Sequence, residues 1–152
     1  MNTIQFTKSG FDELKKELEI LRSQWKEAVG ELKKAREMGD LSENGYYKAA
    51  KFKLGSLDRR IRMANMLLQS AHVTTVTVKE SIDIGCTVTI DDGREKKTYK
   101  MVGGYESNPS EGKLSIISPI GKALQGRKKG ETVIVKTPSG TAQTFQIIDL
   151  AY

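Results

Sequence analysis

The sequence predicts an α+β protein in two parts. A long antiparallel coiled-coil helical hairpin occupies residues 1–75, and a small antiparallel α+β domain occupies residues 76–152. Three observations predict this. All three prolines, Pro109, Pro119 and Pro138, lie in the second half, so the stretch from Phe11 to Ala71 is free to be helical. That stretch carries two unbroken heptad seams. The second half changes to short runs rich in Val, Thr and Ile, separated by turn residues.

The seams fix the hairpin. Phe11, Leu14, Leu18, Leu21, Trp25, Ala28, Leu32 and Ala35 alternate steps of three and four residues, and so do Tyr47, Ala50, Leu54, Leu57, Ile61, Ala64, Leu68 and Ala71. The two series mirror one another about residue 41. Phe11 therefore faces Ala71, Leu18 faces Ala64, Leu21 faces Ile61, Trp25 faces Leu57, and Ala35 faces Tyr47. Such a mirror is the signature of two helices folded back in register. Thr7 is placed to cap the first helix, and Gly39 to close it in a left-handed conformation. Two helices of this length make a rod of roughly 45–50 Å, with residues 39 to 45 at its far end.

The tip reads "GDLSENG". As local structure this is a capping box, with Asp40 capping the second helix and Glu43 reaching back to its amide. The flanks add a second reading. Between Lys33 and Arg62 lie nine basic and four acidic residues, which is five of the chain's net six positive charges. Basic shafts that include Lys48, Lys51, Lys53 and Arg59 suit phosphates. Asp40 and Glu43 suit a divalent ion or a water. Two carboxylates supply only part of the six oxygens such an ion takes, so the tip reads as half a site, completed by a partner. A standalone metal nuclease is disfavoured on the same ground.

Composition excludes other classes. No apolar run is long enough to span a membrane, and "MNTIQFTKSG" lacks a basic-then-apolar leader pattern, so a cytoplasmic protein is expected. The single Cys86 forbids an internal disulfide and reads as a small buried strand residue. The single His72 has no partner for a triad or a zinc site, and reads as a solvated residue at a helix end.

In the second half, "CTVTI", "KTYKMV", "LSIIS", "TVIVK" and "TFQIIDL" read as strands, with a hairpin turn at Asp92-Gly93. "SPIGKAL" reads as a short helix with Ser118 as cap and Pro119 at its first position. "GKALQGRKK" has the glycine spacing of a phosphate loop, but Arg127-Lys128 stands where Lys-Ser/Thr is needed, so nucleotide binding is rejected. Too few aromatic residues are present to line a prolyl-isomerase pocket.

Two longer motifs carry a family resemblance. "AREMGDLSENGYYKAAK" resembles the tip pattern "AREHGDLSENAEYHAAK" of the bacterial Gre transcript-cleavage factors. "SPIGKALQGRKKGETVIVKTPSG" resembles their "SPIARALLGKKVGDEVEVKTPGG", and "YKMVG" their "YRIVG". The resemblance runs in order through nearly the whole chain. It implies an FKBP-like fold (that of the FK506-binding proteins) for the second half. It also implies a monomer that inserts its coiled coil into the secondary channel of bacterial RNA polymerase and meets the nascent RNA 3′ end. The protein would then be no enzyme itself but an activator of the polymerase's own cleavage of backtracked RNA. No cofactor is tightly bound, and Mg²⁺ is shared with the polymerase active site through Asp40 and Glu43. By motif position Leu41, Ser42 and Asn44 support the tip, and the loop at Ser118, Pro119 and Ile120 touches polymerase. Among the departures from the pattern, those that matter at the tip are Gly45 and Tyr46 for Ala and Glu, and the first helix is one residue shorter. A channel-binding relative that mainly inhibits is the alternative reading. Retention of Asp40 and Glu43 argues against it.

Overall fold

A computed structural model describes residues 3–39 and 44–152. The chain forms two compact units. One is Phe11–Ser70; the other joins the segment ending at Gly10 to Ala71–Tyr152. The expected division at residue 75 therefore differs in two respects: the start of the chain and residues 71–75 both belong with the second unit. The reason is a short parallel strand pair in which β1 (Ile4–Phe6) lies beside β2 (Ala71–Val73), with Gln5 opposite His72. His72 is thus an exposed strand residue and not a helix end.

The helical unit contains most of α1 (Lys8–Arg36) and all of α2 (Gly45–Ser70). Leu21, Ala28 and Leu57 form its buried centre, flanked by Leu54 and Ile61. Leu18, Ala35, Ala50 and Ala64 are buried along the same seam. Residues early in α1 meet residues late in α2. Arg60 Nη2 lies 3.4 Å from Glu17 Oε1, and Lys53 Nζ lies 3.1 Å from Glu31. The helices are therefore antiparallel and close to the mirrored register. Trp25 departs from the expected seam. It is 37% exposed, and its indole N–H donates to Asp58 Oδ1 at 2.7 Å. A ring this large does not fit between close helices, so it lies at the seam edge and its polar atom finds a carboxylate. Leu67 is buried although it lies one position off the expected seam.

The second unit holds a five-stranded sheet. Its strands are β3 (Thr87–Asp91), β4 (Lys96–Val102), β5 (Lys113–Ser115), β6 (Thr132–Lys136) and β7 (Ala142–Ala151), in the order β5-β4-β3-β7-β6. Alternation buries one face: Val88 and Ile90, Val133 and Val135, and Phe145 and Ile147 all point into the core. The sheet is not wholly antiparallel. β4 and β5 run parallel, with Met101 opposite Leu114. A single 3₁₀ turn at Pro109–Glu111 within the connection brings the chain back into that orientation. At the β3–β4 turn Asp92 Oδ1 accepts from the Arg94 and Glu95 amides, and Gly93 takes φ 91°. These backbone donors hold the Asp92 carboxyl below its usual range. Helix α3 (Pro119–Leu124) contributes Leu124, with no exposed surface, to the same core.

Within this unit Glu106 fastens the start of α1. Its carboxylate accepts from the Thr7 and Gly103 amides, both at 2.9 Å, and from the Thr7 hydroxyl. Thr7 Oγ1 in turn accepts from the Gly10 amide at 3.1 Å, so the expected cap of the first helix is present.

Candidate functional site

The end of the hairpin is organised by Asn44. Its Oδ1 accepts from the amides of Tyr46 (3.0 Å) and Tyr47 (3.2 Å), the second and third residues of α2. Its Nδ2 donates to the Ala35 carbonyl in the last turn of α1 at 3.2 Å. One side chain thus caps the second helix and closes onto the first. This corrects the capping-box reading, because the cap of α2 is Asn44 and not Asp40. Asp40, Leu41, Ser42 and Glu43 lie outside the described residues. In sequence all four precede the cap, between Gly39 (φ 116°) and Asn44. Asn44 fixes where α2 begins and ties that point to the last turn of α1.

The shaft residues divide. Lys53 is paired across the hairpin with Glu31, and Arg60 with Glu17, so part of their charge is answered within the protein. Lys48, Lys51 and Arg59 are exposed and pair with no described acid. They occupy the outer face of α2, away from Leu57 and Ala64. Tyr46, where the resembling pattern has an acid, is also exposed.

In the second unit Ser118 is committed to structure. Its Oγ accepts from the Gly121 amide at 3.0 Å and donates to the Ser115 carbonyl at 2.7 Å. Pro119 is exposed at the first position of α3, while Ile120 packs partly into the core. Ile117, beside them, is largely exposed and extends the surface that the sequence singled out. A cleft of about 160 Å³ opens beside Ile120, lined also by Ile90, Tyr99 and Phe145. It is smaller than the roughly 300–1,000 Å³ of ordinary ligand pockets.

Titration behaviour does not mark a second site. The perturbed groups of this unit have structural causes. Burial pushes the Cys86 thiol up, and it pushes Tyr152 to about 12 while the tyrosine hydroxyl donates to the Ser81 carbonyl at 2.6 Å. For Asp83 burial acts upward, but Lys79 at 2.6 Å, the Ile84 amide and Gln125 outweigh it and lower the carboxyl. No group of three or more potential metal ligands occurs among the described residues.

Comparison with known proteins covers both units. A family model described as the N-terminal domain of transcription elongation factors matches residues 4–73, and one described as the C-terminal domain of the transcription elongation factors GreA/GreB matches residues 77–152. The chain is 40% identical over 156 residues to transcription elongation factor GreA of Paracoccus denitrificans, covering 100% of this chain and 99% of that one. It is 41% identical over 149 residues to GreA of Macrococcus caseolyticus, covering 95% and 94%. Among solved structures, Gfh1 of Thermus aquaticus is 28% identical with full coverage of both chains and a TM-score of 0.48.

Proposed function

The chain belongs to the GreA/GreB family of transcription elongation factors, and from that premise we propose that it stimulates RNA polymerase to cleave backtracked RNA. The hairpin enters the secondary channel, and the second unit engages polymerase outside it through the surface at Ile117, Ser118, Pro119 and Ile120. The protein itself is not the nuclease. The hydrolytic centre is the polymerase's, and the tip completes it. No helix of the described residues is long and apolar enough to cross a membrane, and the protein works in the cytoplasm, where the polymerase is.

One observation carries the reading. Asn44 takes the capping role that would otherwise explain an acid at this position. The start of α2 is capped by a neutral side chain, so an acid is not needed for that cap. As a donor set, two carboxylates fit a divalent ion as one side of a shared site and not as a complete one. When bound there, Mg²⁺ supplies charge stabilisation at the scissile phosphate and an acidified water. Asp40 and Glu43 provide negative charge at the tip, Asn44 holds the segment that bears them, and the cations of α2 face the RNA backbone.

The test is single-turnover cleavage of RNA in a backtracked polymerase complex, with competition binding in parallel. Asp40→Asn and Glu43→Gln keep size and hydrogen-bonding capacity while removing charge. Each should leave melting temperature and binding near normal and slow cleavage about a hundredfold or more, as expected when a contact contributing about 3–4 kcal/mol in the transition state is lost. Raised Mg²⁺ should restore part of the rate. Undiminished cleavage by both variants, or inhibition by the unaltered protein, would leave channel occupancy as the function.

A further inference from the structure

Phe52 lies in the middle of α2 and is 74% exposed, more than any other aromatic side chain among the described residues. Position decides what it could meet. Lys48 is one turn before it, Gly55 is three residues after it, and Arg59 is one turn beyond Gly55. At 3.6 residues per turn these four share one stripe on the outer face of the helix. Lys51 lies beside the stripe, and none of Lys48, Lys51 and Arg59 pairs with a described acid. A Cβ added at Gly55 would meet only the end of the Arg59 side chain, at 3.7 Å. The helix therefore offers an aromatic ring beside a notch, between cations spaced one and two turns apart. The ring borders a groove shared with Gln24, Glu27 and Leu57, but most of its surface meets solvent, so the fold accounts for little of it. The surrounding charge disfavours an ordinary apolar protein contact, because docking one there would strip water from three cations.

We propose that Phe52 is a stacking platform for an unpaired nucleobase of single-stranded RNA, with Lys48 and Arg59 holding the phosphates on either side. Any base presents a π face, so the contact tolerates sequence, and the flanking cations supply the backbone attraction. The platform gives the hairpin a hold on extruded RNA apart from the tip carboxylates. It deepens the function proposed above and rests on that reading for the identity of the RNA.

The experiment measures binding of the full-length protein to two polymerase complexes, one with backtracked, extruded RNA and one with no extruded RNA. Phe52→Tyr and Phe52→Trp retain an aromatic face; Phe52→Leu keeps an apolar side chain without one. Wild type should bind the RNA-containing complex more tightly. The tyrosine and tryptophan variants should stay within about twofold, and the leucine variant should lose about five- to tenfold, at the low end of what one base–aromatic stack contributes. Replacing the extruded nucleotides by abasic ones should erase the difference between wild type and Leu. The complex without extruded RNA should not distinguish the variants. A leucine variant that matches wild type on extruded RNA would overturn the proposal. So would an equal loss on both complexes, which would assign Phe52 to a protein surface. Failure of the cleavage function would show instead as an inactive wild type, whatever the binding comparison gives.

Discussion

The two units bury apolar side chains in different ways. Four of the buried seam residues in the hairpin are alanines (Ala28, Ala35, Ala50 and Ala64), beside Leu18, Leu21 and Leu57. The core of the sheet unit is built from thirteen buried residues, almost all of them Ile, Val, Leu, Met or Phe. Small residues leave a thin seam with little apolar bulk, so most of the hairpin surface remains available for contact. The sheet unit encloses its side chains from several directions. The thin seam distributes stability over few large groups, so in the hairpin each one matters more.

The largest effect should come from cutting one such group in each unit. Leu21 and Ile147 are equally buried. Leu21→Ala and Ile147→Ala should each cost about 2–4 kcal/mol. The distribution should differ: amide exchange in Leu21→Ala should rise along α1 and α2 and leave β3, β4 and β7 protected, whereas Ile147→Ala should do the reverse. A uniform rise throughout the chain in either variant would show one cooperative unit and break the comparison.

Glu106 gives a smaller, more local effect. Its carboxylate answers two amides and a hydroxyl. Glu106→Gln turns one of its two acceptor atoms into a donor that faces existing donors. The expected loss is about 1.5–3 kcal/mol, the range for hydrogen bonds to a charged group. It should appear as faster exchange at the Thr7 and Gly103 amides. Unchanged exchange at both would remove Glu106 from the fastening of the α1 start.

What was legible in the sequence follows from the same contrast. A periodic seam repeats its signal many times, so the antiparallel hairpin could be read by counting, and the structure buries Leu21, Ala28 and Leu57 in one cluster with Leu54 and Ile61 packed against it. The alternating strands and the Ser118–Pro119 helix start were legible for the same reason. The β1–β2 pair was not. "IQF" and "AHV" are three residues each and far apart, and nothing local marks either as a strand. The parallel placement of β5 was hidden because direction is set by the connection, not by the strand residues. At the tip, "DLSE" fits the capping-box pattern, and that pattern hid the better-placed Asn44. The available signal was Asn44-Gly45 immediately before the first residues of the second seam, since Asn caps as well as Asp. The Lys53–Glu31 pair was missed because a charge count does not show which charges face one another.

The Asn44 cap should be visible as a modest loss. Asn44→Ala should destabilise the hairpin by about 1 kcal/mol, and Asn44→Asp should keep the cap toward Tyr46 and Tyr47 while losing the donor to the Ala35 carbonyl. Exchange at the Tyr46 and Tyr47 amides separates the two: faster in Ala, near wild type in Asp. Equal behaviour of both variants would mean that the bridge to α1, and not the cap, is what Asn44 contributes.

The smallest expected effect has the opposite sign and sharpens the contrast between thin seam and enclosed core. Gly30 lies inside α1, exposed, without a positive φ, and an added Cβ would meet nothing within 4 Å. Neither turn geometry nor packing requires glycine there. Its cost is the backbone freedom lost when that residue becomes helical, so Gly30→Ala should stabilise the hairpin by about 0.5–1 kcal/mol. Gly103 in the sheet unit is the control. A Cβ there would overlap the Gln5 carbonyl oxygen and crowd Glu106, so Gly103→Ala should destabilise even though the substitution is chemically the same. The measurement is the denaturation midpoint of each variant against wild type. A stabilising Gly103→Ala, or a destabilising Gly30→Ala, would show that the open surface of the hairpin and the close packing beside β4 have been assigned the wrong way round.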